Sequence, residues 1–179
     1  MKSKCEDIMD TTRFPIYDIL YCDPPWEQGL VKMFQTMMRK QVGYAPDNNI
    51  DGILTQLAKL ADTSKPLIVE YGVKGYERVI ERLCREGHTF RHVSVQQQKN
   101  GNQYGILFFN DYVPIENMTL KGFEVVTEVV RQLKPKVVFD PFAGIGASAK
   151  AFIKEGVHYI GHEMNPARAK RMIEITSKQ

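Results

Sequence analysis

The segment Asp-Pro-Pro-Trp at residues 23–26 carries the most specific chemical signal in the sequence. It follows a predicted strand at residues 17–22, because two consecutive prolines cannot donate to a sheet ladder and must begin a loop. A carboxylate and a backbone carbonyl can accept the two N–H bonds of an exocyclic base amine while an aromatic ring stacks on the base. A structural Pro-Pro turn beside a buried tryptophan is the alternative. The predicted catalytic residues are Asp23, Pro24, Pro25 and Trp26.

A second signal lies in Asp-Pro-Phe-Ala-Gly-Ile-Gly at residues 140–146, between a predicted strand and a predicted helix. Small residues let the backbone approach a ligand there, and the N–H groups at a helix start face it. Glu163 ends the next predicted strand, 19 residues after Gly144. That separation suits a carboxylate on ribose hydroxyls in a βαβ unit. The pair therefore predicts a cofactor site, although either part alone is also typical of a tight connection or a solvated acid.

The stretch Gly-Ile-Gly-Ala-Ser-Ala at residues 144–149 also satisfies the dinucleotide fingerprint G-x-G-x-x-G/A. Nicotinamide or flavin binding is therefore an alternative. However, only 16 residues follow Glu163, too few for the rest of a dinucleotide-binding sheet. The remaining strands must come from the N-terminal side, which argues against a dehydrogenase.

Together the two segments resemble the amino-methyltransferases that act on N6 of adenine. Residues 23–26 are similar to their catalytic motif, and residues 140–146 with Tyr-Ile-Gly-His-Glu at 159–163 are similar to their S-adenosylmethionine motif. The catalytic motif comes first, as in the permuted, β-class order of bacterial and phage DNA adenine methyltransferases and in the MT-A70-like enzymes. The resemblance covers nearly the whole chain. It implies a Rossmann-like methyltransferase fold, S-adenosyl-L-methionine as cofactor and DNA as partner.

The resemblance also implies roles for individual residues. Asp23 and Pro24 would bind the target amine, and Trp26 would stack on the base. The residues that would hold the cofactor are Cys22, Asp23, Lys121, Asp140, Pro141, Phe142, Ala143, Gly144, Gly146, Glu163, Met164 and Asn165. Family members usually have Lys-Pro where this chain has Lys121-Gly122, and Gln98-Lys99 replaces the MT-A70-like Trp-x-Lys. The choice between DNA and RNA therefore stays open.

Two groups of polar residues are candidates for nucleic-acid contact, one after the catalytic loop and one at a predicted hairpin. Lysines can neutralise phosphates, and amides at a loop tip can read base edges. The candidates are Lys32, Arg39, Lys40, Gln96, Gln97, Gln98, Lys99 and Asn102. A solvated polar surface is the alternative. The four histidines lack metal-ligand spacing with acids or cysteines, so no metal site is predicted.

The elements that must position these residues follow an alternation of short apolar runs and longer helical patterns. This alternation favours an α/β fold with helices covering a mostly parallel sheet. Asn-Gly at residues 100–101 predicts an antiparallel hairpin at one sheet edge, and Asp47 or Asn48 is the predicted cap of a helix at 50–61. Six strands are predicted, at residues 17–22, 66–72, 91–96, 104–109, 137–139 and 158–162. The resembled fold has seven, so the sheet keeps six strands or is completed by residues 1–14 or by a second subunit.

Length and composition limit the class of protein. With 179 residues, we expect one catalytic domain over residues 1–179 and no separate target-recognition domain. A net charge of +3 excludes a polybasic tail. Three cysteines without Cys-x-x-Cys spacing argue against a disulfide framework and a zinc knuckle. Without a signal peptide or a membrane-length apolar run, the expected location is the cytoplasm of a bacterial or phage-infected cell.

The expected activity is methyl transfer from S-adenosylmethionine to adenine N6 in DNA. An RNA N6-adenine methyltransferase is one alternative. A cofactor-binding subunit that needs a partner chain is another, and a homodimer is also compatible with the sequence. Cytosine N4 is the less favoured acceptor, because in the resembled family it usually goes with Ser at the first position of the catalytic motif.

Overall fold

The computed structural model describes residues 3–111, 114 and 120–177. Within them the strands are β1 Lys4–Cys5, β2 Ile19–Cys22, β3 Leu67–Gly72, β4 Phe90–Gln97, β5 Gln103–Phe109, β6 Val137–Asp140 and β7 His158–Glu163. The helices are α1 Gln28–Val42, α2 Ile50–Leu60, α3 Tyr76–Arg85, α4 Phe123–Leu133, α5 Ala147–Lys154 and α6 Pro166–Thr176, with a short 3-10 helix at Ile8–Asp10.

The seven strands form one sheet in the order β1-β7-β6-β2-β3-β5-β4. The pairs from β1 to β3 are parallel, whereas β5 runs antiparallel to both β3 and β4. The predicted α/β class and the antiparallel hairpin at one edge are therefore confirmed. The Asn-Gly dipeptide lies in the loop between β4 and β5, where its glycine has a φ of 88° that favours glycine.

The predicted count of six strands is wrong, because residues near the N-terminus add a seventh. Strand β1 pairs in parallel with β7, placing Cys5 beside Glu163. The Ser3 hydroxyl accepts the Gly161 N–H at 2.9 Å, and the Glu6 N–H donates to the Glu163 carbonyl at 3.1 Å. A two-residue strand is too short to produce a periodic apolar pattern. Of the alternatives, residues 1–14 complete the sheet.

Apolar side chains cover both faces of the sheet, which is why the parallel strands have nearly continuous apolar sequences. One core lies under α1, α2 and α3, with Leu20, Val69 and Phe139 from the strands. The other lies under α4, α5 and α6, with Tyr21 and Ile68. The alternation along each strand therefore decides which helical layer a side chain meets.

Asn49, and not Asp47 or Asn48, caps α2: its side chain accepts the Gly52 N–H at 2.8 Å. Asn48 instead donates to the Asp7 carboxylate at 2.8 Å. This bond ties the loop before α2 to the N-terminal segment. The predicted caps, Asp47 and Asn48, were therefore wrong by two residues and one residue, and Asn48 is used by a tertiary contact instead.

Candidate active site

A cavity of about 400 Å³ opens at the carboxyl ends of the parallel strands. It lies where the strand order reverses, since the chain runs outward from β6 to β7 and in the opposite direction from β2 to β3. Open α/β sheets bind ligands at this point, and a cavity of this size can hold a small molecule. The predicted residues that line it are Asp23, Pro24, Pro25, Trp26, Gln98, Asp140, Pro141, Phe142, Ala143, Gly144, Glu163 and Met164.

The loop after β2 places Asp23 and Trp26 in direct contact. The Trp26 indole N–H donates to Asp23 Oδ1 at 2.8 Å, so the ring and the carboxylate fix each other. Protein atoms surround the Asp23 carboxyl within the cavity, although solvent still reaches it at the mouth. The lost hydration raises the pKa of Asp23 to about 6, against the lowering effects of the Trp26 bond and the Arg168 charge.

Two neighbours hold the Trp26 indole in place. A Cβ at Gly72 would lie 3.0 Å from the indole Cε3, so the ring sits directly on the backbone at the end of β3. Tyr104 of β5 stacks against the ring at 5.9 Å between centroids and 17° between planes. The Trp26 ring is therefore fixed within an aromatic stack where it lines the cavity, and its role in stacking on a base stays a prediction.

Asp140 is almost fully buried and binds three donors. Its Oδ1 accepts the Phe142 N–H at 2.9 Å, and its Oδ2 accepts the hydroxyls of Ser148 at 2.9 Å and Tyr159 at 2.7 Å. Burial raises the pKa of Asp140 to about 7, and the three hydrogen bonds oppose that rise. The carboxyl thus joins β6, the following turn, α5 and β7. It shapes the turn that lines the cavity.

The glycine turn brings backbone to the cavity at Gly144. Both Gly144 and Gly146 have positive φ, at 58° and 81°. A Cβ at Gly144 would lie 2.7 Å from an Arg168 guanidinium nitrogen, so this glycine leaves room for the arginine. The guanidinium of Arg168 also lies 4.9 Å from the centre of the Phe34 ring on α1. Arg168 therefore spans the cavity mouth from α6 to α1.

Glu163 ends β7 with its carboxylate held by backbone. Its Oε1 accepts the Asn165 N–H at 2.8 Å, and its Oε2 lies 3.9 Å from Arg168 Nε. Burial raises the pKa of Glu163, whereas the Arg168 charge and the N–H groups of Asn165 and Gly144 lower it. Such a carboxylate, fixed on one side and facing a cavity on the other, can accept hydrogen bonds from a ligand diol.

The cavity wall is strongly acidic. Five carboxyl side chains line it, against one arginine, Arg168. The five are Glu6, Asp7, Asp23, Asp140 and Glu163. In the low dielectric of a cavity, those of the five that are ionised attract a cation more strongly than they would at an open surface. The arrangement suits a positively charged ligand.

Four predicted cofactor residues do not line the cavity. Cys22 is fully buried in the core. Gly146 packs against Met172, where a Cβ would lie 3.3 Å from the Met172 Cα. Lys121 lies before α4, and its N–H donates to the Glu124 carboxylate at 3.2 Å. The remaining one, Asn165, caps α6 by accepting from two backbone N–H groups, so it supports Glu163 from behind.

Among the predicted nucleic-acid contacts, Gln98 lines the cavity. The others lie outside it, on α1 and at the β4–β5 hairpin, and they are Lys32, Arg39, Lys40, Gln96, Gln97, Lys99 and Asn102. The Gln96 amide is engaged within the protein, donating to Ser94 Oγ at 2.7 Å and accepting the Gly122 N–H at 3.1 Å. Gln97 donates to the Gly101 carbonyl at 3.2 Å.

Sequence reasoning missed several cavity residues that come from the N-terminal segment. Glu6, Asp7 and Ile8 follow β1 and line the cavity. Glu6 accepts from Lys4 Nζ at 2.7 Å and lies 2.7 Å from His162 Nδ1, which anchors the segment to β7. The pairing of β1 with β7 is the cause of this placement, and no local pattern indicates it. Phe123 and Tyr21 also line the cavity unpredicted.

The described residues contain no group of three or more His, Cys, Asp or Glu side chains able to hold a metal ion. Within the same residues, no helix is both long and apolar enough to cross a bilayer.

Comparisons with known proteins give matches in structure only. No protein-family model matches the chain, and no curated protein matches it. M1.HpyAVI is similar over 98% of both chains, with a TM-score of 0.66 and 11% identity. TTHA0409 is described as a putative DNA modification methylase from Thermus thermophilus, and its structure was solved with S-adenosyl-L-methionine. It is similar over 99% of this chain and 93% of its own, with a TM-score of 0.66 and 16% identity. PvuII DNA methyltransferase, described as cytosine-N4-specific, has a TM-score of 0.53 and 12% identity over 99% and 93%.

These likenesses extend along nearly the whole chain, so they concern the full sheet and its helices. At identities of 11–16% they establish the fold and not the activity. The chain has the Rossmann-like α/β fold of these proteins, with a mostly parallel seven-stranded sheet and an antiparallel pair.

Proposed function

We propose that this protein transfers a methyl group from S-adenosyl-L-methionine to N6 of adenine in DNA. The observation that carries the proposal is the meeting of the two sequence motifs in one cavity: residues 23–26 and residues 140–144 line it together with Glu163. The two motifs are more than 110 positions apart in the chain, yet the reversal of strand order between β6 and β2 makes them neighbours. Two structural neighbours described as DNA methylating proteins, TTHA0409 and PvuII, support the same class of reaction.

The residues present fit S-adenosylmethionine. Five carboxyl groups suit its sulfonium and ammonium charges. Glu163 would accept hydrogen bonds from the ribose hydroxyls, and the backbone of Gly144 lines the cavity next to it. Glu6, Asp7 and Ile8 add a wall with polar and apolar atoms for the adenine ring. When bound, this cofactor supplies an electrophilic methyl group.

The part of the cavity formed by Asp23, Pro24 and Trp26, here called the acceptor side, is the reason for proposing an amine as the methyl acceptor. An exocyclic amine is a poor nucleophile, because its lone pair is delocalised into the ring. Asp23 Oδ1 is occupied by the Trp26 N–H, which leaves Oδ2 to accept one amine N–H. The Pro24 carbonyl would accept the other, so the lone pair points at the electrophile. Asp23 also stabilises the positive charge that develops on the nitrogen, and it can take the proton that the nitrogen then loses.

A base in a duplex must leave the stack to reach this cavity. Unstacking the base costs on the order of a few kcal/mol. Trp26 and Phe123 line the cavity and offer aromatic surface to an extruded base, and Tyr104 stacks against Trp26. Lys32, Arg39 and Lys40 on α1 and Lys99 at the hairpin are the proposed phosphate contacts. Single-stranded or distorted DNA is the favoured substrate form.

Cytosine N4 is the second candidate acceptor, since PvuII is described as cytosine-N4-specific and shares the fold. It presents a similar amine beside a ring nitrogen. The two acceptors are separated by one experiment. The purified protein is incubated with labelled S-adenosylmethionine and with unmethylated DNA and RNA in parallel. The polymers are then digested to nucleosides and analysed by mass spectrometry.

N6-methyldeoxyadenosine is the expected product. N4-methyldeoxycytidine would reassign the base, and N6-methyladenosine in RNA would reassign the polymer. Cofactor binding without any methylated product would refute the proposal of a self-sufficient enzyme. In that case, repeating the assay with a cell extract tests for the cofactor-binding subunit that needs a partner chain. A variant with Asp23→Asn controls for contaminating methyltransferases, because its product must disappear if this chain makes it.

A further inference from the structure

Glu70 is a buried carboxyl group that the proposed mechanism does not use. It lies near the end of β3 and is only 8% exposed. Its Oε1 has no hydrogen-bond partner among the described residues. Because Cys22 is opposite Val69 in the sheet, Asp23 and Glu70 follow at the next position of neighbouring parallel strands. A buried, incompletely bonded acid therefore stands beside the proposed catalytic carboxylate.

Asp140 of β6 completes a row of three acids on one face of the sheet. Tyr21 and Ile68 point into the core under α4–α6. The alternation along the strands places Asp23 and Glu70, two residues further on, on this same face. Asp140 is level with Tyr21, because Phe139 pairs with Leu20. Neighbouring carboxylates repel one another, so ionising all three of these groups costs free energy.

The three acids differ in the donors that stabilise their charges. Asp140 accepts three hydrogen bonds and Asp23 accepts the Trp26 indole N–H. Glu70 interacts with the Tyr21 hydroxyl. Burial, followed by the Asp23 charge, raises the pKa of Glu70 to about 8, and the Tyr21 bond opposes this. The titratable groups that act on or respond to Glu70 are Tyr21 and Cys22 on β2, Asp23 directly after β2, Asp140 on β6 and Tyr104 on β5.

We propose that Glu70 couples the charge of the bound cofactor to a proton: it releases a proton when the sulfonium cofactor is bound and holds that proton when the neutral thioether product is bound. This inference rests on the proposed function. A positive charge entering the acidic cavity stabilises the ionised form of Glu70, which lies behind Asp23. The product lacks the sulfonium charge, so it stabilises the ionised form less.

The proton balance closes over one turnover. On cofactor binding, the protonated form of Glu70 gives its proton to solvent. During transfer, the bond between sulfur and the methyl carbon breaks with its electron pair kept by sulfur, and the acceptor nitrogen bonds the methyl group. The nitrogen then loses a proton to Asp23, and Glu70 regains one from its neighbour Asp23. Glu70 thereby favours the charged cofactor over its product, which eases product release.

Calorimetry in buffers of different ionisation enthalpy tests this. The whole protein is titrated with S-adenosylmethionine at pH 7.5 in phosphate and in Tris, and the difference in heat gives the protons released. If binding lowers the pKa of Glu70 by one unit from about 8, about half a proton is released per cofactor. Glu70→Gln keeps the shape and removes the ionisation, so we expect that contribution to disappear. Glu86→Gln, at the exposed residue that follows α3, is the matched control and is expected to release protons as the unaltered protein does.

Equal proton release by the unaltered protein and by Glu70→Gln, or no release by either, would overturn the inference while leaving the proposed function intact. A complete lack of cofactor binding would instead overturn the proposed function, and the inference with it. Thermal unfolding shows whether Glu70→Gln is folded.

A second measurement needs no variant. The ratio of the affinities for S-adenosylmethionine and S-adenosylhomocysteine is determined from pH 6.5 to 8.5. For the same one-unit change the ratio should rise about sixfold over this range, because at higher pH the ionised Glu70 is already present. A ratio that stays flat, or that falls, contradicts the coupling whatever the variant does.

Discussion

The hydrogen bond from the Trp26 indole to Asp23 makes a specific prediction for Trp26→Phe. Phenylalanine keeps an aromatic ring on Gly72 and beside Tyr104, so the stacking surface remains. It cannot donate to Asp23 Oδ1, which now accepts at 2.8 Å. Freed of this bond, the carboxylate can rotate away from the orientation in which, under the proposed function, its other oxygen would meet the acceptor amine. The change therefore separates orientation of the carboxylate from stacking of the base.

The magnitude follows from the type of bond. Hydrogen bonds to charged groups contribute about 1.5–3 kcal/mol. Since solvent reaches Asp23, the lower part of that range applies, about 1.5–2 kcal/mol, which corresponds to a fall in kcat of roughly 10- to 30-fold. KM for DNA should change by less than about threefold, because the phenylalanine ring still provides a stacking surface for the base.

The pH dependence of kcat tests the same reasoning separately, through the direction in which its acidic limb moves. The Trp26 bond lowers the pKa of Asp23, which is about 6, so its loss raises that pKa further. If transfer requires the carboxylate, activity is lost as the pH falls through this pKa, and Trp26→Phe must move the acidic limb of the kcat profile to higher pH. Tyr104→Phe alters a ring in the same stack without touching Asp23 and should not move the limb. An unchanged kcat together with an unmoved limb in Trp26→Phe would refute the reasoning.

Three further changes have distinct expected results. Asp23→Ala should abolish transfer yet leave cofactor affinity within a few fold, and loss of binding in calorimetry would contradict the separate roles of the two motifs. Glu163→Gln should weaken cofactor binding about tenfold through the loss of a charge-assisted bond to the ribose diol, with kcat at saturation little changed; an unchanged Kd would remove Glu163 from the site. Gly161→Ala places a methyl group against Met172 and 2.7 Å from the Ala143 Cβ. It should lower the free energy of unfolding by about 1–3 kcal/mol in urea titrations, and wild-type stability would show that this packing is looser than described.

The parts of the fold that local sequence encodes were predicted well. Apolar runs bounded by Pro or Gly, such as residues 66–72, became β3, and Asn-Gly at residues 100–101 became the hairpin loop. Strand β1 could not be predicted, because its stability comes from pairing with β7 and not from its own two residues. The same holds for Glu6, Asp7 and Ile8, which reach the cavity only because β1 fixes where they start.

The site shows the same division. Residues 23–26 form one continuous stretch and residues 140–144 another, so their positions at strand ends follow from the strand predictions. The residues that contact them lie far away in the sequence. Tyr159 is 19 positions from Asp140, and Gly72 is 46 positions from Trp26, yet both contacts decide how the motif residues are oriented. Gln96 at the hairpin is the reverse case. Its polar neighbours in the sequence predict a free side-chain amide, but that amide accepts the Gly122 N–H.

The arrangement of acids also limits how independent the two halves of the cavity can be. The motif at residues 23–26 and the motif at residues 140–146 belong to different chain segments, and a variant in one can leave the other folded. Their charges, however, are not separate. Arg168 beside Glu163 lowers the pKa of Asp23, and Asp23 raises those of Glu70 and Asp140. A change of charge beside Glu163 must therefore alter the protonation of the acids around Asp23. Under the proposed function this coupling has a use, since the cofactor's positive charge would leave one side of the cavity as a proton appears on the other.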